Sequence, residues 1–301
     1  MTVMLGDIRL DRIEESSDIG DVPHLDFPDA TPEALTPYLG WLQPAAIDPV
    51  TGGTIMPIHA WLVRTPRCTI LLDTCVGNHK THPSLPSFHQ QTHYRLLDDL
   101  AALGVCASDI DIVLCSHLHY DHAGWNTRLE NGLWVPTFPC ARYLFCQEEL
   151  DAAEAAAQQG DSVWRESVSP VLEAGQGEVV AMDHELDDMI RLEPTPGHTP
   201  GHVATHLVSG GERAIMVGDL IHSPLQLPHP EWSPVWDHDP VMAAATRRRI
   251  LELLADTGTL MLTQHFPAPS AGHVYSARTG FGCRYLGGGM VHGEEAVGWP
   301  C

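Results

Sequence analysis

The chain has 301 residues, enough for one large domain or two of ordinary size, and 44% are hydrophobic, so a packed core is expected and wholesale disorder is excluded. Sixteen lysines and arginines stand against 39 aspartates and glutamates, a net charge of −23, which makes a poor partner for nucleic-acid phosphates and for anionic membrane surfaces. The eight cysteines form no C-x-x-C pair, so they read as reduced core residues and not as a zinc site.

The first eleven residues lack a basic n-region and a long apolar run, and no later stretch approaches the length of a membrane span, so a cytoplasmic location is expected. Residues 7–16 alternate apolar and polar, as an opening strand does. Residues 21–56 are proline-rich, with Phe27, Tyr38, Leu39, Trp41 and Leu42, and read either as an excursion packed on the core or as a flap over a pocket. Residues 57–64 and 68–73 are two strands, the second ending in Asp73-Thr74-Cys75-Val76-Gly77-Asn78. A polar loop with His79, His82, His89 and His93 follows, expected to be exposed or to line the flap, and then a helix over 96–103 stopped by Gly104.

Residues 110–115 form a short buried strand, and directly after it comes Ser116-His117-Leu118-His119-Tyr120-Asp121-His122-Ala123-Gly124. If the segment is extended, residues 117, 119 and 121 point to one side, and His122 comes round as the loop begins. Burying four such groups unpaired is costly, whereas imidazole and carboxylate in this density suit zinc, iron or manganese.

Residues 141–146 read as a strand, 147–159 as a helix ended by Gly160, and 162–174 as a further short helix. A strand over 190–194 leads into Thr195-Pro196-Gly197-His198-Thr199-Pro200-Gly201-His202, and a hairpin over 203–209 and 213–217 runs into Gly218-Asp219-Leu220-Ile221-His222. Asp239-Pro240 opens a helix to about residue 255, with Val241, Ile250, Leu251, Leu253 and Leu254 facing inward, and a strand over 259–263 ends at Gln264-His265-Phe266-Pro267. The pattern occurs in two halves with a break near 160–178.

Histidines and aspartates thus collect at strand ends. His117, His119 and His198 can hold one metal, Asp121, His122 and His265 a second, and Asp219, with two oxygens, can bridge them. Tyr38, Trp41, Leu42, Leu225, Leu227, Trp232 and Trp236 read as ordinary packing taken singly and as an apolar pocket lining taken together.

These motifs in this order, with Leu72-Asp73 ahead of the first, resemble the metallo-β-lactamase-fold hydrolases over most of the chain. The resemblance implies an α/β architecture, an αββα sandwich of two mixed sheets flanked by helices, with the metals at one edge between the sheets. A single domain over 1–301 is expected, with pseudo-halves at about 1–160 and 178–301. Within the family, His119 stands where flavodiiron reductases carry glutamate, and Asp219 where several true β-lactamases carry cysteine. The net charge disfavours the RNA-processing branch, and the glycine-rich tail over 268–301 does not read as the helical substrate domain of the glyoxalase II branch. The branch with N-acyl-homoserine lactonases and methyl parathion hydrolase remains, with one departure: many homoserine lactonases carry a tyrosine three residues after the bridging aspartate, and this chain has His222.

The expected activity is opening of an apolar ester or lactone, N-acyl-homoserine lactones among the candidates, by a hydroxide bridging two divalent ions, zinc first and manganese, iron or cobalt also suited. Asp121 orients the hydroxide or carries its proton, His222 assists the oxyanion or leaving group, and His202 supports the turn. Phosphotriester hydrolysis is the alternative reaction, a metal-bound sensor on the same fold is the alternative outside catalysis, and the apolar loops make a homodimer plausible.

Overall fold

Two seven-stranded mixed sheets lie face to face, one from each half of the chain. The computed structural model describes residues 1–287 and 290–291; Cys301 lies outside the described residues. In the first half run β1 (Thr2–Leu5), β2 (Ile8–Ser16), β3 (Ile58–Arg64), β4 (Thr69–Leu72), β5 (Ile112–Leu114), β6 (Thr127–Glu130), β7 (Leu133–Pro136), β8 (Arg142–Cys146) and β9 (Gly177–Val180). All but the separate β6–β7 hairpin form one sheet, in the order β1-β2-β3-β4-β5-β8-β9. The second half supplies β10 (Ile190–Pro194), β11 (Val203–Ser209), β12 (Glu212–Met216), β13 (Leu260–Leu262), β14 (Ala271–Ser276), β15 (Phe281–Tyr285) and β16 (Met290–Val291), which pair in sequence order.

The layering follows from strands that are apolar on both faces, as strands covered on both sides must be. Trp61 and Val63 of β3, Ile70 and Leu72 of β4, and Ile112 and Leu114 of β5 point into the core between the sheets, where Met216, Leu260 and Leu262 meet them. The alternate residues Ala60, Leu62, Leu71 and Val113 point the other way, under the helices Arg95–Ala102 and Gln147–Ala157, which bury Leu96, Leu100 and Leu150. The second sheet repeats the arrangement: Ile215 and Met261 face outward to meet Ile250, Leu251 and Leu254 of the helix Pro240–Leu254. The αββα sandwich with mixed sheets and flanking helices is therefore as expected.

Several local expectations are corrected. Val241 and Leu253 face solvent, at 80% and 48% exposure, and the inner face of their helix instead carries Ala243, Thr246 and Arg247. Polar residues can occupy that face because backbone carbonyls and a carboxylate hold the Arg247 guanidinium. The extended expectation over 117–121 holds only to His119, since Tyr120–Ala123 is one helical turn. Residues 162–174 contain a π-helical turn, Trp164–Val168, before the α-helical Ser169–Glu173. The described part of the tail after His265 carries no helix, in keeping with the expectation, and adds β14 and β15 to the second sheet.

Two parallel pairings set up the site. β4 lies parallel to β5, and β12 to β13, so in each pair both strands end at the same edge. The Asp73 N–H donates to the Leu114 carbonyl and the Val217 N–H to that of Leu262, each within its own sheet, while the Val203 N–H donates to that of Ser116 and joins the strand ends of one sheet to those of the other. Among the described residues no helix is long and apolar enough to cross a membrane.

Candidate metal centre

The strand-end loops bring His117, His119, Asp121, His122, His198, Asp219 and His265 together. His117 Nε2 lies 3.2 Å and His119 Nδ1 3.0 Å from His198 Nε2, while His122 Nε2 and His265 Nε2 are 3.3 Å apart. Asp219 sits between the two groups. Its Oδ1 is 3.2 Å from His122 Nε2 and 3.1 Å from His265 Nε2; its Oδ2 is 3.5 Å from His198 Nε2 and 3.7 Å from His117 Nε2. Asp121 Oδ2 stands 3.7 Å from both His122 and His265. All but His119 and Asp121 are buried.

Short, constrained turns hold the ligand-bearing segments. Asp73 and Cys75 adopt left-handed conformations, φ 59° and 50°, at the end of β4. Gly124 passes so close to that loop that a Cβ would lie 1.8 Å from the Val76 carbonyl oxygen, which excludes any larger residue. Gly218, at φ 53°, lets the chain place Asp219 directly after β12.

The outer ring nitrogens show what the inner ones are for. His122 Nδ1 lies 3.0 Å from Asp73 Oδ2, His198 Nδ1 2.9 Å from Asp237 Oδ1, and His265 Nδ1 3.0 Å from the Pro57 carbonyl oxygen. All three outer partners are acceptors, so each ring carries its proton outside and turns a lone pair inward. Nitrogens 3.0 to 3.3 Å apart with lone pairs converging repel unless a cation lies between them. Asp219 Oδ1, buried among them, has no hydrogen-bond donor. The residues present therefore fit a pair of cations, with ring nitrogens spaced like ligands around one tetrahedral ion.

The electrostatics agree. Burial holds His117 and His198 well below the ordinary imidazole range, which keeps them neutral as ligands must be. Burial pulls His122 and His265 the same way, but Asp219 and Asp121 outweigh it and raise both. The Asp219 carboxyl is held well below its usual range, against its burial, by His122, His265, His222 and His117. The carboxylates thus demand positive charge at the places where the lone pairs converge.

Surrounding residues complete the frame. Asp73 accepts from the Ser116 N–H at 2.6 Å, from Ser116 Oγ, from His122 and from the Gln264 amide. His202 takes the Asp219 N–H on Nε2 at 3.1 Å and meets Thr195 Oγ1 with Nδ1 at 2.8 Å, the turn-supporting place expected for it. Three residues of this frame carry no sequence signal. Glu149 accepts from Leu118 N, Thr199 Oγ1 and Gly201 N, tying the 117–122 and 197–202 loops together. Asp237 joins His198 to the fully buried Arg247, whose guanidinium also donates to the carbonyls of Leu220, Pro230 and Trp232. In the sequence Glu149 is one of several acids in a helix and Asp237 one of several in a loop; only the fold brings them to the site.

His222 lies over the cluster. Its Nε2 is 3.1 Å from Asp219 Oδ2 and accepts the Trp236 indole N–H, also at 3.1 Å, while its buried Nδ1 has no hydrogen-bond partner. A cavity of about 530 Å³ opens above these residues, lined by Ile19, Met56, Ile58, Leu85, Phe88 and Trp236 on its apolar side. Of the aromatic and leucine residues expected to line a pocket, only Trp236 does so. Leu42, Leu225 and Trp232 instead pack with Phe27 and Leu35 into a separate core that fastens the 21–56 segment to the later loop, with Tyr38 and Trp41 against them, and Leu227 lies in the core of the second sheet. The 21–56 segment reaches the cavity through Asp21, Asp26 and Met56, and the histidine-rich loop reaches it through residues 85–88. Of the histidines expected to be exposed or to line the flap, His82 is buried against Tyr120 and His89 is exposed.

Comparison with known proteins places this geometry. An N-acyl homoserine lactonase of Bacillus sp. is 28% identical over 159 residues, 49% of this chain and 56% of the relative. The chain thus spans little more than half the length of that relative, and 56% of a Bacillus cereus lactonase as well. A Bacillus thuringiensis lactonase is 22% identical over 70% of this chain and 81% of its own length. Among solved structures, AbOPH, a hydrolase in the beta lactamase superfamily, superposes with a TM-score of 0.79 at 23% identity over 98% of both chains, a likeness of fold. AidC, described as a dizinc quorum-quenching lactonase in complex with a product, superposes with a TM-score of 0.75 at 26% identity over 95% of this chain and 96% of its own. The family model of the metallo-beta-lactamase superfamily matches residues 53–265, which span His117 to His265 and more than two thirds of the sequence, and the chain belongs to that superfamily.

Proposed function

We propose that the protein is a hydrolase dependent on two divalent cations, zinc first among them, and that it opens an apolar ester or lactone. One observation carries the reading: Asp219 turns one oxygen to His122 and His265 and the other to His117 and His198, at the floor of an apolar cavity. In this reading His117, His119 and His198 hold one ion, Asp121, His122 and His265 the other, and Asp219 both. When bound, such ions supply Lewis acidity and a water acidic enough to attack at neutral pH. Asp121, partly exposed at the cavity, takes the proton of the attacking water and returns it to the leaving oxygen. His222 lines the cavity with its Nε2 beside Asp219, and assists the substrate oxygen that gains charge or the leaving group. The apolar wall holds the acyl part, and N-acyl-homoserine lactones, on which the named relatives act, fit this description.

Phosphotriester hydrolysis is the second reading, favoured by His222 standing where many lactonases carry tyrosine. The deciding experiment is elemental analysis of protein purified without added metal, with a long-chain lactone and an aryl phosphotriester assayed on the same batch. About two ions per chain with lactone turnover, both reduced in Asp219→Ala, supports the first reading. Two ions with only phosphotriester turnover moves the assignment to the second. Metal-loaded protein inert to both is the outcome a sensor predicts, and protein that binds no metal overturns all three.

A further inference from the structure

We infer that Tyr120 selects the substrate: its hydroxyl donates a hydrogen bond to a second acceptor oxygen on the ester or lactone, away from the bond that is broken. The inference rests on the hydrolase reading and narrows its substrate class to compounds that carry a further carbonyl, as a side-chain amide does. Tyr120 stands between His119 and Asp121, opens the helical turn Tyr120–Ala123, and lines the cavity together with Ile58, Leu85 and Phe88. Two tyrosines pack on the core of the first sheet. Tyr143 is fully buried, and its hydroxyl donates to the Asn126 carbonyl at 3.0 Å and accepts the Phe138 N–H at 3.1 Å, as an enclosed phenol should. Tyr120 is half-buried; its hydroxyl has no hydrogen-bond partner among the described residues and is not closed off from solvent. Burial, and after it the charges of Asp121 and Asp219, hold this phenol above its ordinary range, so its oxygen lies near enough to the cavity floor to feel both carboxylates.

The ring is held in place before any ligand arrives. The His82 ring packs on it with centroids 5.0 Å apart and the Phe88 ring at 5.7 Å. His82 is itself buried, and its backbone N–H donates to His89 Nδ1 at 3.1 Å. The 79–93 loop thus fixes the direction of the phenol, and binding loses little rotamer freedom there. His222 is held by a different loop, packed on Trp236, which in turn packs on Phe27. The ester or lactone group goes to the cavity floor with His222 beside it, and the Tyr120 hydroxyl is left for another part of the ligand.

Selectivity follows from what happens when this hydroxyl is covered. A phenol carries its proton at neutral pH and is a donor. A ligand that fills the apolar side of the cavity and offers an oxygen there replaces water as the acceptor. A ligand that offers only methylenes encloses the donor without an acceptor, and the penalty exceeds what one good hydrogen bond gains. A hydrogen-bonding group of this kind discriminates more sharply than an apolar wall, which distinguishes one methylene more or less only modestly.

The test uses two lactones of the same ring with side chains of equal length, one attached through an amide and the other all methylene, on the metal-loaded native protein and on Tyr120→Phe. Phenylalanine keeps the contacts with His82 and Phe88 and removes only the oxygen, and elemental analysis checks that metal content is unchanged. The expected result is a fall of about tenfold in kcat/KM for the amide lactone, carried by KM with kcat unchanged, and a change below about twofold for the alkyl lactone. An equal loss for both lactones, a loss carried by kcat, or no change for either overturns the inference. A second arm needs no turnover: the matching lactams, with a ring N–H in place of the ring oxygen, are titrated into both proteins by calorimetry. If the native protein opens neither lactone, the hydrolase reading falls, and the lactam affinities alone decide. An amide lactam bound about tenfold more weakly by Tyr120→Phe, with the alkyl lactam unmoved, supports the contact. Equal affinities in the two proteins, or no binding of either lactam, overturns it.

Discussion

His222 and Asp237 both touch the centre, and their loss acts in different ways. His222→Ala removes an imidazole from the cavity wall but none of the seven proposed ligands, so kcat should fall about 100-fold with metal content unchanged, which elemental analysis and steady-state kinetics check together. Its Nε2 also lies near Asp219 and His198, and these three form a group able to hold an ion. Loss of one metal in that variant would make His222 a ligand. Asp237→Ala takes the acceptor from His198 Nδ1 and leaves the Arg247 guanidinium buried without its carboxylate. Such an uncompensated charge costs about 3–5 kcal/mol, and loss of the partner behind a ligand lowers metal affinity about 10- to 100-fold. Urea unfolding and a zinc titration measure the two effects separately.

At the scale of elements, the site exists because loops from both sheets are tied where their strands end. Glu149, in the first turn of the helix Gln147–Ala157, is the tie between the 117–122 and 197–202 loops. Glu149→Ala leaves two backbone N–H groups and the Thr199 hydroxyl buried without an acceptor. The expected cost is roughly 2–4 kcal/mol of stability, with weaker metal binding, because the loops bearing His117, His119 and His198 lose their common anchor. Chemical denaturation with and without zinc checks this: a role in folding alone lowers stability equally in both conditions, whereas a role in the site lowers the gain from zinc as well.

For the whole molecule, stability should depend on pH through Glu15. This carboxyl is fully buried at the end of β2, accepting from the Val76 N–H at 2.7 Å and the Trp125 indole at 2.5 Å, and burial raises it to about 7. Between its ordinary 4.5 and about 7 the native state keeps a proton that the unfolded chain has released, so its contribution falls as pH rises through that window. The full change is on the order of 3 kcal/mol. Urea midpoints from pH 4.5 to 7.5 should show that slope in the native chain and its loss in Glu15→Gln. The variant also carries a constant penalty, since its amide nitrogen cannot accept from the N–H it faces. Equal slopes in both proteins would rule Glu15 out as the cause. Chelation gives an independent check: removing metal should lower the thermal midpoint, because ions that bind only the folded cluster stabilise it by mass action.

What the sequence determined by itself were the features written in local spacing. His-x-His-x-Asp-His after an apolar strand, Gly-Asp after β12 and Gln-His after β13 identify the ligand-bearing segments, because a strand end is legible from apolar runs and turn residues alone. The order of those segments carried the family resemblance and with it the two-sheet sandwich. The tertiary structure decided what depends on pairing across distance. The inner face of the helix Pro240–Leu254 accepts Arg247 in place of Val241 because carbonyls more than fifteen residues away satisfy it. The glycine-rich tail becomes strands because β13 offers an edge to pair with. Tyr38, Trp41 and Trp232 are packing and not pocket because the 21–56 segment folds onto the 223–238 loop, while the same segment turns its carboxylates to the cavity. Local spacing reports which groups the chain carries; which of them face metal, substrate or core depends on contacts between residues far apart in sequence, and those form only when the sheets close on one another.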